Sequence, residues 1–300
     1  MKSSVREIRR IQVPLYTFNL AIGGGLPVKT RVEISGPSYS GKSTLSYYLA
    51  GIVAKPKNTI ALCDFETDDD EYPQMVAHRA GWNGKLWVAP TVTEKGDPMS
   101  NEEMLDATAD IYLADESVTA LILDAVGAIF TVAEDEGSVA DASMGKRASV
   151  VKRFVGKLNV RSKWKKQDSV AFLINHVHDL LGKQGSVTSG GKAMEYNPAI
   201  RIRLWAEKKD EYWTLKGTVF KRRYIKDRTL PSTFEVISIP GLGIHPGMTA
   251  VNDCILMGLA KQAHVVSLKG KSYGFMSKMA DRIDDPKFFQ PFYDAIKKGN

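Results

Sequence analysis

Residues 36–44 read GPSYSGKST. The stretch fits the pattern G-x-x-x-x-G-K-[ST], and its flanks decide the fold. Before it stands VEIS (residues 32–35), a short β-rich run, and TLSYYLA (residues 44–50) then begins a helical pattern. Strand, glycine turn and helix in that order make a phosphate cradle. Glycines let backbone N–H groups curl around an anion, and the N-terminus of the following helix adds the positive end of its dipole. Gly36, Pro37, Ser38, Tyr39, Ser40, Gly41, Lys42, Ser43 and Thr44 are therefore candidate ligands of ATP. The Lys42 ammonium suits the β- and γ-phosphates, and the Ser43 hydroxyl suits Mg²⁺.

Such a site needs an acidic residue at the end of a buried strand, and Leu121-Ile122-Leu123-Asp124 supplies one. In open α/β sheets ligands bind at the carboxyl ends of the strands. Asp124 is expected to hold the Mg²⁺ shell through water. A second run, ALCDFE (residues 61–66), ends in Asp64 and Glu66, two apart and so on one face. Glu66 is the candidate for orienting an attacking water. The alternative is that both are solvated loop acids beside Asp68, Asp69 and Asp70. His176 and His178 follow the strand-like AFLIN (residues 171–175). His176 is placed to touch a γ-phosphate, with an ordinary loop histidine as the alternative. No third metal ligand stands near the pair.

Working outward, short apolar runs alternate with helical patterns. Strands are expected at 31–35, 59–64, 86–89, 120–124 and 170–175, and helices at 42–54, 72–80, 101–114 and 146–164. The alternation predicts an α/β fold with a mostly parallel central sheet. From residue 200 the long helices stop. Runs at 200–206, 212–224 and 233–239 read as hairpin-linked strands. PGLGIHPG (residues 240–247) is rich in turn formers and suggests a boundary. The expected division is 1–243, an ATPase core, and 244–300, a small α+β C-terminal domain. Within the latter, residues 249–263 read as a helix and 265–275 as a hairpin turning near Lys269-Gly270.

A net charge of +7 makes a polyanion a plausible partner. Two isolated cysteines, Cys63 and Cys254, form neither a disulfide framework nor a zinc site. MKSSVREIRR (residues 1–10) has no apolar signal core, and the most apolar run, 119–130, is too short to span a bilayer. A cytoplasmic location and no membrane association are expected.

These pieces together resemble the RecA family. IGGGLPVKTRVEISGPSYSGKSTL (residues 22–45) is similar to the opening of the RecA-type ATPase core. ALCDFE resembles the strand ending in the family's catalytic glutamate, and LILDAVGAI (residues 121–129) its second acidic strand. DASMGKRAS (residues 141–149) resembles the end of its first DNA-binding loop. LINHVHDLLGKQGSVTSGGKAMEYNPAIRIRL (residues 173–204) resembles its strand, second DNA-binding loop and next strand. The order and spacing agree from about residue 9 to 282.

The resemblance implies a DNA-dependent ATPase that binds single-stranded DNA, assembles into a helical filament, and promotes homologous pairing and strand exchange with double-stranded DNA. It assigns catalysis to Glu66, Lys42 and His176, and Mg²⁺ to Ser43 and Asp124. Asp70 and Tyr72 fall near the family's adenine contacts. Lys221, Arg222 and Arg223 lie in the strand whose basic residues reach a neighbouring subunit's γ-phosphate. Tyr196 matches an aromatic at the family's subunit interface. The first DNA loop corresponds to 134–144 and the second to about 177–192. Met144, Lys146, Arg147, Lys183, Ser189, Gly190, Gly191 and Lys192 are the DNA-binding candidates. His176 stands where the family commonly has glutamine. An N-terminal docking helix and an acidic C-terminal tail, both typical of bacterial members, are expected to be missing. The second reading is therefore a RecA-fold regulator or recombination mediator that forms no filament; a ring helicase motor fits the loop matches less well.

One segment suggests DNA contact on physical grounds alone. Residues 146–166 hold nine basic and no acidic side chains. Arg153, Lys157 and Arg161 recur every four residues and so share a helix face. Val151, Phe154, Val155 and Leu158 fall on the buried side. The basic face is either a phosphate track or simply solvated.

Overall fold

A computed structural model of the chain describes residues 8–67, 69–135, 144–179, 186–225, 227–263, 265–282 and 284–299. In chain order, the N-terminal part comprises β1 (Arg10–Ile11), α1 (Tyr16–Ala21), β2 (Leu26–Pro27), β3 (Thr30–Gly36), α2 (Lys42–Ala54), β4 (Thr59–Asp64) and α3 (Glu71–Arg79). There follow β5 (Leu86–Val88), α4 (Asn101–Ala114), β6 (Val118–Asp124), α5 (Val132–Asp135), α6 (Met144–Arg161), β7 (Val170–Asp179), β8 (Ser186–Thr188) and α7 (Gly191–Tyr196). The last part holds β9 (Ile200–Lys208), β10 (Trp213–Arg222), β11 (Thr233–Ile239), β12 (Gly243–Ile244), α8 (Pro246–Leu256), β13 (Ala260–Gln262), β14 (Val266–Leu268), β15 (Lys271–Gly274) and α9 (Pro286–Lys298).

The central sheet runs β12-β11-β10-β9-β3-β7-β6-β4-β5. From β9 to β5 neighbours are parallel; from β9 to β12 they are antiparallel. The continuous apolar runs arise because the parallel strands are covered on both faces. Ile60, Leu62, Ile122, Phe172 and Ile174 point to one side, where they pack with Phe18, Leu45, Tyr48, Leu49 and Val76 of α1, α2 and α3. Ala61, Cys63, Leu121, Leu123 and Leu173 alternate with them and meet Leu105 and Ala109 of α4 and Val151, Phe154, Val155 and Leu158 of α6. The second cover stops at β9. Beyond it, the face of Arg201, Arg203 and Trp205 carries Trp205 and Phe220 exposed to solvent.

A third core cluster joins Ile237 and Ile239 of β11 to Met248, Val251 and Cys254 of α8, Val266 and Leu268 of β14, and Phe289 and Phe292 of α9. The expected cut between 243 and 244 falls inside β12, whose residues pair with β11. The helix expected over 249–263 is shorter and earlier. His245 Nδ1 accepts the Met248 N–H at 3.2 Å and starts α8 three residues sooner. Gly258, at φ 72°, closes it with paired bonds from Leu259 N to Cys254 O (2.8 Å) and from Gly258 N to Ile255 O (3.0 Å). The chain then turns into β13. The hairpin expected at 265–275 is β14–β15.

α1 was not anticipated. Its N-cap residue, Leu15, has no side chain able to cap. Asp253 of α8 does so instead, taking the Tyr16 N–H at 3.0 Å and the Thr17 hydroxyl at 2.6 Å. Among the described residues no helix is long and apolar enough to cross a membrane.

Candidate functional site

The phosphate loop springs from the centre of the sheet, where Gly36 closes β3 in register with His176 of β7. Gly41 takes a left-handed conformation (φ 81°, ψ 19°), and a Cβ there would lie 2.7 Å from both terminal carbons of Leu215. No side chain caps α2, so its first-turn N–H groups face the loop unclaimed by a cap. Lys42 is buried, and its ammonium donates to Pro37 O across the curl at 2.8 Å. Burial lowers its pKa, and the nearby Asp124 and Glu66 charges oppose that shift. Ser40 is buried with its hydroxyl unpartnered, whereas Tyr39 projects almost wholly into solvent.

Asp124 ends β6 in register with Asp64. Tyr47 of α2 donates its hydroxyl to Asp124 Oδ2 at 3.1 Å, while Oδ1 is buried and unpartnered. Burial raises the Asp124 pKa to about 6; the Asp64 and Glu66 charges add to the rise, and hydrogen bonds from Ser43 and Tyr47 oppose it. A buried carboxylate oxygen lacking a donor beside a serine hydroxyl is a hard-oxygen set that suits Mg²⁺. Among the described residues no three His, Cys, Asp or Glu converge on a metal position. Phosphate oxygens would have to complete the shell, so the residues fit a nucleotide-bound ion.

The expectation that Asp64 and Glu66 share a strand face is corrected. β4 ends at Asp64, whose Oδ1 accepts the N–H groups of Glu66 (2.8 Å) and Thr67 (3.1 Å). Asp64 is thereby committed to the bend. Glu66, carried past the strand, reaches across the end of β6 to hydrogen-bond His176 Nε2. Two of the three residues expected to act in catalysis, Glu66 and His176, thus touch each other. The neighbouring Asp69 is a capping residue, accepting the N–H groups of Glu71 (2.9 Å) and Tyr72 (3.2 Å); Asp68 lies outside the described residues.

Tyr72 is joined to the loop helix through Thr44 Oγ1 at 2.8 Å and stands edge-on to Tyr47. Asp70 is exposed just ahead of α3. The 240–243 turn, whose glycines and proline suggested a boundary, packs against α3. A Cβ on Gly243 would meet Val76 of α3 at 2.9 Å, so the turn lies directly against that helix.

The three basic candidates on β10 and just after it differ in their attachments. Arg222 donates to the carbonyl oxygens of Ala21 (2.9 Å), Leu230 (2.9 Å) and Pro231 (2.8 Å), a framework role. Lys221 and Arg223 both bond the Tyr196 carbonyl at the end of α7. Burial, with Arg223 and Arg201 nearby, pushes Lys221 down to about 8.

Of the DNA candidates, Met144 opens α6 and Lys183 lies outside the described residues. Lys146 donates to Ala133 O at 2.7 Å, and Arg147 bonds Gly127 O (3.1 Å) and Glu134 (3.2 Å), so both fold back onto α5 and the turn before it. Ser189 leads from β8 to Gly190 and Gly191, which start α7, with Lys192 exposed on its first turn. The basic run of α6 is broken up: Lys157 pairs with Asp106, and Lys165 is buried on the carbonyls of Tyr112 (2.7 Å) and Asp115 (2.8 Å). Lys152, Arg153, Arg161, Lys163 and Lys166 stay exposed.

A mostly parallel, doubly covered sheet with a phosphate loop at its centre and an acidic strand end beside it defines a P-loop nucleotide-binding protein. Residues 2–238 match the RecA N-terminal domain, and the chain belongs to the RecA family. It is 29% identical over 266 residues to Protein RecA of Chloroherpeton thalassium, covering 84% of this chain and 71% of that one. It is 27% identical over 278 residues to Protein RecA of Legionella pneumophila (90% and 74% covered), and 28% identical over 317 residues to that of Chlorobium limicola (99% and 84% covered).

Proposed function

We propose that the protein is an ATP-dependent DNA recombinase: it binds single-stranded DNA when loaded with ATP, assembles on it as a helical filament, pairs it with homologous double-stranded DNA, and hydrolyses ATP faster when DNA is bound. The observation that carries this reading is the Glu66–His176 contact. It joins the carboxylate beside the phosphate loop to β7, the strand that pairs with β8, which leads on to Ser189–Lys192.

In this scheme Lys42 and the N–H groups of Gly41–Thr44 hold the phosphates, Tyr72 and Asp70 flank the base, and Ser43 and Asp124 hold Mg²⁺. The ion, when bound, would neutralise charge on the phosphate oxygens. Glu66 orients the water that attacks the γ-phosphorus, releasing ADP. His176 bonds Glu66 and would exchange that partner for a γ-phosphate oxygen. Lys221 or Arg223 would complete a neighbouring subunit's site. Arg222, already bonded to three carbonyls, is the least available for that part.

The test is the affinity for a fluorescent oligo(dT) in the presence of a non-hydrolysable ATP analogue or ADP. A triphosphate state binding at least about tenfold more tightly, with the difference abolished in Lys42→Ala, is expected. Equal affinity in both states would sink the reading.

A further inference from the structure

Three residues before the phosphate loop ends β3, Glu33 is completely buried. One carboxylate oxygen takes the Arg201 Nε–H from β9, and the other takes the Asn175 amide from β7 at 3.0 Å. Both of these partners reach on to the end of β8 and the residue after it. Arg201 Nη2 donates to Thr188 Oγ1 at 3.2 Å, and Asn175 Nδ2 also donates to Ser189 O at 2.9 Å. The contacts close a ring: Glu33, Arg201, Thr188, Ser189, Asn175 and back to Glu33. Phe220 covers the guanidinium face, 4.8 Å from its carbon.

A buried carboxylate–guanidinium pair is a poor way to gain stability, because desolvation offsets much of the attraction and an apolar pair of equal volume often does as well. What the pair provides is register. Its planar guanidinium fixes two acceptors at once, one on the phosphate-loop strand and one on β8. The neighbouring residue on β7 is His176, the partner of Glu66. His176 and Ser189 also border one gap: a Cβ on Gly127 would stand 3.3 Å from His176 Cδ2 and 3.4 Å from Ser189 Oγ.

We propose that Glu33 and Arg201 are positioning residues that tie the end of the second DNA loop to the phosphate-loop strand, so that a change at His176 moves Thr188 and Ser189 as one piece. The pair touches neither nucleotide nor DNA in this scheme; it transmits. The inference rests on the recombinase reading above. Without the ring, nucleotide would still bind, but its γ-phosphate would no longer set DNA affinity.

Two variants test it. Arg201→Lys keeps a cation beside Glu33 but cannot hold two acceptors in one plane. Thr188→Val keeps shape and leaves the Glu33–Arg201 pair intact while removing its link to β8. The readouts are binding of a fluorescent ADP analogue, melting temperature, and the ratio of oligo(dT) affinities with a non-hydrolysable ATP analogue and with ADP. Nucleotide affinity within about twofold of the parent, with the DNA-affinity ratio reduced at least about fivefold, is expected in both variants. A merely structural role would lower the melting temperature and nucleotide binding while leaving the ratio intact. If Arg201→Lys fails to fold, Thr188→Val decides alone. A parent protein with a clear ratio that Thr188→Val preserves overturns this inference and leaves the recombinase reading standing. A parent protein with no ratio overturns both.

Discussion

Replacing Gly41 by alanine probes the phosphate loop at its tightest point. Two costs are separable. An L-residue at φ 81°, ψ 19° carries a left-handed penalty of about 1–2 kcal/mol. The new methyl would also stand 2.7 Å from Leu215 Cδ1 and Cδ2, well inside carbon–carbon contact. Leu215 is itself buried on β10, so its relief requires off-rotamer adjustment worth about 1–3 kcal/mol. Together Gly41→Ala should cost about 2–5 kcal/mol, a large share of the roughly 5–15 kcal/mol typical of a folded domain. Urea unfolding of the nucleotide-free protein measures it, and calorimetric titration with ADP should show binding lost as the cradle opens. A double-mutant cycle separates the terms. Leu215→Ala creates the space the methyl needs, so the double variant should be more stable than the sum of the singles predicts by about 1–3 kcal/mol. A Gly41→Ala protein within about 0.5 kcal/mol of the parent, or strictly additive singles, would refute the reasoning.

Other consequences are equally direct. Lys42→Ala should abolish detectable ATP binding while leaving the melting temperature near that of the parent, because the only described bond of its ammonium is to Pro37 O; retained nucleotide binding in a titration would contradict its role. His245 is buried, and its pKa falls to about 4, chiefly through burial. The unfolded state therefore binds the extra proton below about pH 6.5, and this group's stability is lost as pH falls from there towards 4. His245→Asn, which keeps an N-cap acceptor, should flatten that loss by about 3 kcal/mol in urea titrations across the window. Asp253 shows the opposite sign: burial lifts its pKa to about 6, so its contribution is full below about pH 4 and declines as pH rises to 6. Asp253→Asn should remove a decline of about 1.4 kcal/mol per pH unit there, and Asp253→Ala should destabilise α1 by about 1–3 kcal/mol through the unmet Tyr16 N–H and Thr17 hydroxyl.

The phosphate loop and the parallel strands were legible because their signals are local. Glycine spacing, a run such as LILD and the helical period after Lys42 need no distant partner. α2 and α4 begin and end where the pattern placed them, the latter because Ser100 and Glu103 form a capping box written in sequence. What escaped depends on residues far apart. The cap of α1 lies 237 residues away in Asp253. The end of α8 was misread because Ala260–Gln262 continues a plausible helical pattern, while Gly258 breaks it and β14 supplies a strand partner. In the site, residue types were legible but not their attachments. Asp64 and Glu66 look equivalent in sequence, yet one is bonded to its own bend and the other to His176. Lys146, Arg147 and Lys165 read as free cations and are tied to carbonyls or Glu134. Glu33 reads as one of the alternating polar residues Arg31, Glu33 and Ser35 of β3, and only its neighbours on β7 and β9 give it meaning.

The central claim is that the phosphate site and the segment beyond β7 work as one device. The steady-state rate of ATP hydrolysis, measured with and without single-stranded DNA, addresses it most directly. Strong stimulation by DNA, lost in Glu66→Gln, is expected. A rate indifferent to DNA would leave a RecA-family nucleotide site with no connection to DNA and would contradict the account.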